Sequence, residues 1–517
     1  MVCKRLIWFI ISLRIGAANL YAQSVLYSPF IGSASDTRFE VIGKAGDYYW
    51  VQKSKKYSSF KKEATPWLND KKLAFEIYDA RLNLVKTVPY TLPGAVIKQY
   101  LIAGNQYFDL LQISTGYAKT ALLLTRYTPD GNVLVAQDTL QAFSNKMKAD
   151  DILLVRSQDK SKLLLLGFEP VEDAPPQVHA TIYTSNWQVL HKAIYNDRGL
   201  SQPYVQYDFI DYPLEHFDNS PVKLANNGDW VMVAPSRRSV NYMLCHFLSS
   251  DSLFIQTEIR QRQSPDVQNL SLIISNDNRE ASIGILINSS TPSIKKVRTA
   301  HYILPQCRFD FDSSYRINTL ATSKRDDYLY EQYFLPVPGK GFLFLKEYGQ
   351  LYAPTFAANE TNQFRSEEEP GDSIADQVPA PIKKDDYTRY SNLSSARKGY
   401  DRGDLRLYFF PATKSDSCWS GLINKEQTGD LNSSYLSYAC MPWQGKIIFL
   451  YNSAFYKSNK SSSTTFLDQH GNALNEGLVF WRSHAILNFQ RARQIAANEL
   501  AVPYDRNRLQ GFAVIHL

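Results

Sequence analysis

Large apolar residues in this chain fall in short alternating runs, and Gly, Asn, Asp or Pro punctuate them. Examples are YYWV (48–51), YFDLLQI (107–113), LLLLGF (163–168), IGILI (283–287), FLFL (342–345) and KIIFLY (446–451). A period of two bounded by turn residues predicts antiparallel strands. One motif recurs: a strand ending in a large apolar anchor, a polar turn, then a second strand. Tyr78 opens YDARLNLV, Tyr127 opens YTPDGNVL, Tyr183 opens YTSNWQVL and Leu467 opens LDQHGNAL. Looser copies begin at Phe247, Phe311 and Phe410. A second hairpin precedes each copy, with turns at 44–47, 104–105, 158–160, 226–228, 275–278, 338–341 and 444–445. Seven inner hairpins therefore alternate with seven outer ones. A helix is expected only at 485–500 (AILNFQRARQIAANEL), which has no Gly or Pro. Phe512–Ile515 suits a buried closing strand.

Anchor spacings are 49, 56, 64, 64, 99 and 57 residues. The long one contains residues 355–404, a polar stretch with Glu367, Glu368 and Glu369 that reads as an acidic, flexible insertion. Four strands in every fifty to sixty residues is the period of a propeller blade. Over residues 24–517 the chain thus resembles β-propeller repeat proteins. The resemblance implies an all-β, seven-bladed propeller of four-stranded antiparallel blades. The alternative is a set of tandem β-sandwiches, which leaves the alternation of hairpins unexplained. Blade signatures of the WD40, kelch and sialidase kinds do not occur in the chain.

Propeller topology assigns the connections to faces. The hairpin turns open at one end. Residues 53–70, 349–404 and 452–463, between second and third strands, and 197–220, between blades, open at the other. Long loops on a rigid scaffold are where binding concentrates.

The N-terminus changes the compartment. Lys4 and Arg5 precede the apolar run Leu6–Leu13, and small residues follow up to Ala22. This is the layout of a signal peptide (1–22), too short to cross a bilayer as an anchor. Export to the periplasm, cell surface or medium is expected, with cleavage after Ala22, or after Ala18 as the second choice. The leader contains three basic residues and no acidic one, so the formal charge of +7 overstates the mature chain, and nucleic acid is not an expected partner. No later segment reaches transmembrane length. Outside the leader stand Cys245, Cys307, Cys418 and Cys440. In this register Cys245 and Cys307 lie on equivalent strands of adjacent blades and do not face one another. Cys418 and Cys440 form the disulfide candidate.

Signatures of nucleophiles, metal sites and phosphate loops do not occur, so no catalytic residue, metal or cofactor is assigned. Two stretches carry binding chemistry. Residues 204–218 (YVQYDFIDYPLEHFD) interleave rings with acids, including Tyr204, Tyr207, Asp208, Asp211, Tyr212 and Glu215. Rings stack on sugar faces, and acids hold hydroxyls or act on glycosidic bonds. Residues 53–62 (KSKKYSSFKK) set Lys55, Lys56 and Tyr57 among further lysines, a pattern for an acidic glycan or anionic surface. The expectation is a binding or scaffolding protein acting through its loop-rich face, with carbohydrate or an envelope protein as partner. The rivals are a glycan-active hydrolase or lyase using the acids of 204–218, and a subunit of a cell-envelope complex.

Overall fold

The computed structural model describes residues 24–517 apart from connecting stretches, the longest being 56–70, 197–220 and 353–398. The seven expected antiparallel blades are present, at residues 37–89, 96–143, 152–196, 222–259, 266–318, 329–423 and 438–474. Each has a path of four strands in chain order, and blades six and seven carry one extra short strand. The first strand of each blade is innermost. Thr37–Ala45 lies beside Val96–Ala103, while Val222–Leu224 lies between Ile152–Arg156 and Asp266–Ile274, which in turn meets Leu329–Val337.

A further sheet stands between blade seven and blade one, and the two ends of the chain build it. From the axis outwards it runs through Arg493–Ala496 and Ile486–Leu487, then Glu499–Arg506, then Leu509–His516, with Ser24–Tyr27 on its outer edge. The ring is thereby closed, with eight sheets among the described residues. The packing shows this independently. Apolar clusters join blade one to two through Trp50, Phe75 and Phe108, and two to three through Leu111, Leu122 and Leu163. Successive clusters continue round to blade seven, whose Met441 and Ile448 meet Leu500 and Val502 of the closing sheet. The other face of that sheet returns Ala501, Phe512 and Val514 to Phe39, Val41 and Val51 of blade one. A cycle of interfaces, each lined by alternate residues of two sheets, is what a propeller buries; tandem sandwiches would bury separate cores.

The C-terminal helix expected at 485–500 is not formed. The segment folds as Ile486–Leu487, a single 3-10 turn (Phe489–Arg491), and the strands Arg493–Ala496 and Glu499–Arg506. Leu487, Phe489 and Ala492 are buried against blade seven, and the open sheet supplies backbone partners that an isolated helix lacks. The buried strand at Phe512–Ile515 is as expected.

Turn chemistry sets the hairpins. In seven of them the chain makes a four-residue turn whose last residue is left-handed, the bulged geometry that suits the strand twist. Inner turns place Lys160, Gly228 and Asn278 there, with φ of 62°, 103° and 58°, each amide bonded to the carbonyl three residues back. Outer turns place Leu82, Gly131, Trp187 and Cys307 there, with φ of 62°, 85°, 63° and 51°. One register correction follows. The fifth outer turn is Leu304–Cys307, and the strand before it ends at Ile303, whereas Phe311 lies within the next strand. Cys307 therefore belongs to a turn, not to a strand equivalent to that of Cys245.

The long spacing in blade six is an insertion in a continuous sheet. Gly341–Tyr352 pairs with Gly399–Pro411, from Gly341↔Pro411 to Tyr352↔Gly399. The ladder takes in residues 399–404, expected from composition to belong to the insertion, so the intervening stretch is 353–398.

Candidate functional site

The two ends of the ring differ. At the hairpin end the longest connection is 412–418. Turns there are bonded to one another: Asp159 N–H donates to Asn226 Oδ1 (3.1 Å), and Asn226 N–H to Asn278 Oδ1 (2.9 Å). Trp50 Nε1 donates to Pro129 O (2.9 Å), and Arg126 Nη2 to Ser185 O (2.9 Å), each crossing from one blade to the next. At the opposite end open 56–70, 197–221, 319–328 and 353–398. Every connection of ten residues or more among these strands leaves from that end.

Both predicted binding stretches leave from it as well. Tyr204, Tyr207, Asp208, Asp211, Tyr212 and Glu215 lie outside the described residues, as do Lys56 and Tyr57. Lys55 is described: it ends the second strand of blade one, exposed, opposite Thr37 and Lys71. The innermost strands add polar and basic groups close to this end. Arg38 and Glu40 lie on blade one, Lys98 and Tyr100 on blade two, and Arg493 on the closing sheet. Arg493 Nη1 is 3.3 Å from Glu40 Oε1, and Arg491 Nη2 donates to Phe39 O at 2.9 Å. Lys98 Nζ and Tyr100 Oη each donate to Ile152 O at 3.2 Å.

Buried charges elsewhere join blades. Asp109 accepts from Arg126 Nε (2.7 Å) and Nη2 (2.8 Å) and from the Trp187 indole (2.9 Å). Such a bidentate pair fixes geometry as well as charge. Trp187 enters blade three's neighbour through its left-handed turn position, and the other outer turns use that position in the same way. Leu82 is fully buried against Phe512 and Val514 of the closing sheet. At Gly131 a Cβ would stand 2.2 Å from Ile77 of blade one, so only glycine fits. In blade five the position holds Cys307, half-buried, with Sγ 4.0 Å from Nδ1 of His246 in blade four. Burial holds His246 below the ordinary imidazole range, and Asp229 partly opposes this. Nothing in the spacing of Cys307 and His246 along the chain marked them as neighbours.

All four described cysteines are free thiols. Cys440 is buried on the innermost strand of blade seven, and its burial pushes the thiol well up. Cys418 is exposed just before the outermost strand of blade six, where burial raises its thiol and a bond with Tyr315 lowers it. The two members of the disulfide candidate thus stand apart, one near the axis and one near the rim of neighbouring blades, and no bridge joins them. Cys245 packs towards blade three, on the sheet face opposite His246.

Among the described residues no three His, Cys, Asp or Glu side chains are grouped to hold a metal ion, and no helix is long and apolar enough to cross a membrane. No family profile and no curated protein matches the chain. Solved structures similar to it include the WD40 domain of SCAP from fission yeast, with 7% identity, a TM-score of 0.38 and coverage of 96% of this chain and 98% of that one. The Dos1 propeller is similar with 9% identity, a TM-score of 0.38 and coverage of 95% of both chains. The chain is a β-propeller. That statement rests on its own sheet order and cyclic packing.

Proposed function

We propose that this propeller is an exported binding or scaffolding module whose ligand docks at the loop-rich end. The observation that carries the reading is the asymmetry of the ring: one end is short turns bonded to each other, and the other collects every long connection. A scaffold that holds one end rigid can vary the other without loss of fold. The basic stretch 53–62, with Arg38 and Lys98 on neighbouring innermost strands, favours an anionic ligand, and the aromatic–acidic stretch 204–218 favours sugar stacking. Together they support an acidic carbohydrate, with an envelope protein as the other partner class.

The test is a glycan array probed with the mature protein, carrying acidic and neutral glycans. Reversing Lys55 and Lys56 to Glu is expected to weaken binding to acidic glycans at least tenfold. Replacing 354–397 by a short Gly/Ser linker should leave thermal stability within a few degrees, because the strands it joins already pair and loop-closure entropy changes slowly with length. Binding by the intact chain to a purified envelope protein, lost in that deletion and with no glycan retained, would transfer the reading to the scaffolding class. An array without signal and no such partner would overturn it.

Export is part of the proposal. The first described strand begins at Ser24 and is paired at once with His516, so cleavage after Ala22 leaves the closing sheet whole. Intact-mass analysis of secreted protein should show loss of residues 1–22. Retention of the leader in a membrane fraction would refute export as a processed chain.

A further inference from the structure

The outer turns share one design: a left-handed residue aimed into the preceding sheet. Leu82 and Trp187 fill that space with apolar bulk, and Gly131 leaves it to Ile77. Cys307 does neither. It is a non-glycine residue at φ 51°, in the left-handed region that L-residues rarely adopt, and its small side chain remains partly open to solvent. What it meets is a polar group. His246 is 1% exposed, and its Nε2 is buried with no hydrogen-bond partner among the described residues. Its Nδ1 faces the sulfur at 4.0 Å, while the thiol donates to Leu304 O at 3.3 Å. Tyr302 stands perpendicular to the imidazole, with ring centroids 6.2 Å apart, and Phe309 packs against Tyr302 at 5.2 Å. The pair thus lies at the junction of blades four and five, beside Tyr302 and Phe309, with the sulfur only half-buried.

We propose that Cys307 and His246 form a low-coordinate site for a soft monovalent cation, copper(I) being the best match. Thiolate sulfur and imidazole nitrogen are the donor types that soft ions prefer. The separation argues for an open angle at the metal. With metal–sulfur and metal–nitrogen bonds near those of zinc, a tetrahedral angle sets the donors about 3.6 Å apart and an in-line arrangement about 4.3 Å. The observed 4.0 Å lies between them. No third His, Cys, Asp or Glu joins the two among the described residues, which suits an ion satisfied by two or three ligands. Binding replaces the S–H bond by a sulfur–metal bond and releases that proton to solvent, with no change of oxidation state when copper is supplied as copper(I).

The full chain is titrated anaerobically with copper(I) in competition with a chromogenic copper(I) chelator. Retention of one equivalent is expected, with at least a tenfold loss of affinity in Cys307→Ser and in His246→Gln, and none in Cys418→Ser. Cys307→Ser with undiminished binding, or His246→Gln with undiminished binding, overturns the site. Should His246→Gln fail to fold, X-ray absorption on the wild-type copper complex decides. One sulfur and at least one nitrogen neighbour support the assignment, and sulfur neighbours alone refute it.

Discussion

Lys425→Ala is expected to lower stability by about 3–5 kcal/mol, the usual consequence of removing one partner from a buried ion pair. Lys425 Nζ bonds Glu347 Oε1, and the two side chains are 1% and 0% exposed. Glu347 lies on the second strand of blade six and points towards blade seven, among Leu343, Leu345 and Leu405. The ammonium also stands 5.8 Å from the centre of the Tyr438 ring, on the innermost strand of blade seven. Without the lysine, a carboxylate is left in a junction that water does not reach. The penalty comes from the buried charge that has lost its ammonium rather than from the pair's own attraction. Glu347→Leu combined with Lys425→Met should therefore recover most of the loss. Urea and thermal midpoints of the two variants test this. A single variant as stable as the wild type would show that the junction is hydrated.

A larger effect is expected from deleting residues 24–33. These supply the outer strand of the closing sheet, register Ser24↔His516 to Tyr27↔Ala513, and a second short pairing at Gly32↔Gln510. Ser28 makes three bonds to the rest of the sheet: its amide donates to Phe512 O (2.9 Å), its hydroxyl accepts from Phe512 N–H (3.0 Å) and its carbonyl accepts from Tyr504 Oη (2.7 Å). Ile31 is 5% exposed in the cluster that joins the closing sheet to blade one. Burial of one such side chain contributes about 1.5–3 kcal/mol, and each net hydrogen bond about 0.5–1.5 kcal/mol. The deletion removes all of these and exposes the edge of Leu509–His516 to other chains. The truncated protein should aggregate or melt well below the wild type, and a peptide of residues 24–33 added in trans should raise its midpoint. A truncation that melts with the wild type would mean that the ring is closed some other way.

Much of this fold was legible because its signals are local. A strand of period two and a turn with Gly, Asn or Asp each lie within a few residues. The inner turn Asn226–Asn227–Gly228 and the outer turn ending at Gly131 could therefore be placed from composition alone. The fifth outer turn was misplaced for a related reason: Leu-Pro-Gln-Cys offers no glycine or asparagine at its left-handed position, while Asp-Ser-Ser further on resembles a turn. The 353–398 insertion stood out because its polar composition cannot supply a blade. The candidate site was legible only in part. The long connections could be assigned to one end from topology, but Glu40 and Arg493 come together there through strands some 450 residues apart.

The chain by itself determined the strands, their pairing into seven hairpin-linked blades and the end from which the long connections leave, because neighbouring strands are neighbours in sequence. Tertiary structure decided what depends on distant segments meeting. The Ala-containing segment 485–500 became strand because the closing sheet gave its backbone partners and blade seven buried Leu487 and Phe489. Ser24–Tyr27 found its place against residues near 515, across almost the whole chain. Cys307 came to face His246 because two blades packed side by side. None of these meetings has a local signature, since each is paid for by burial and hydrogen bonding that exist only once the ring is closed.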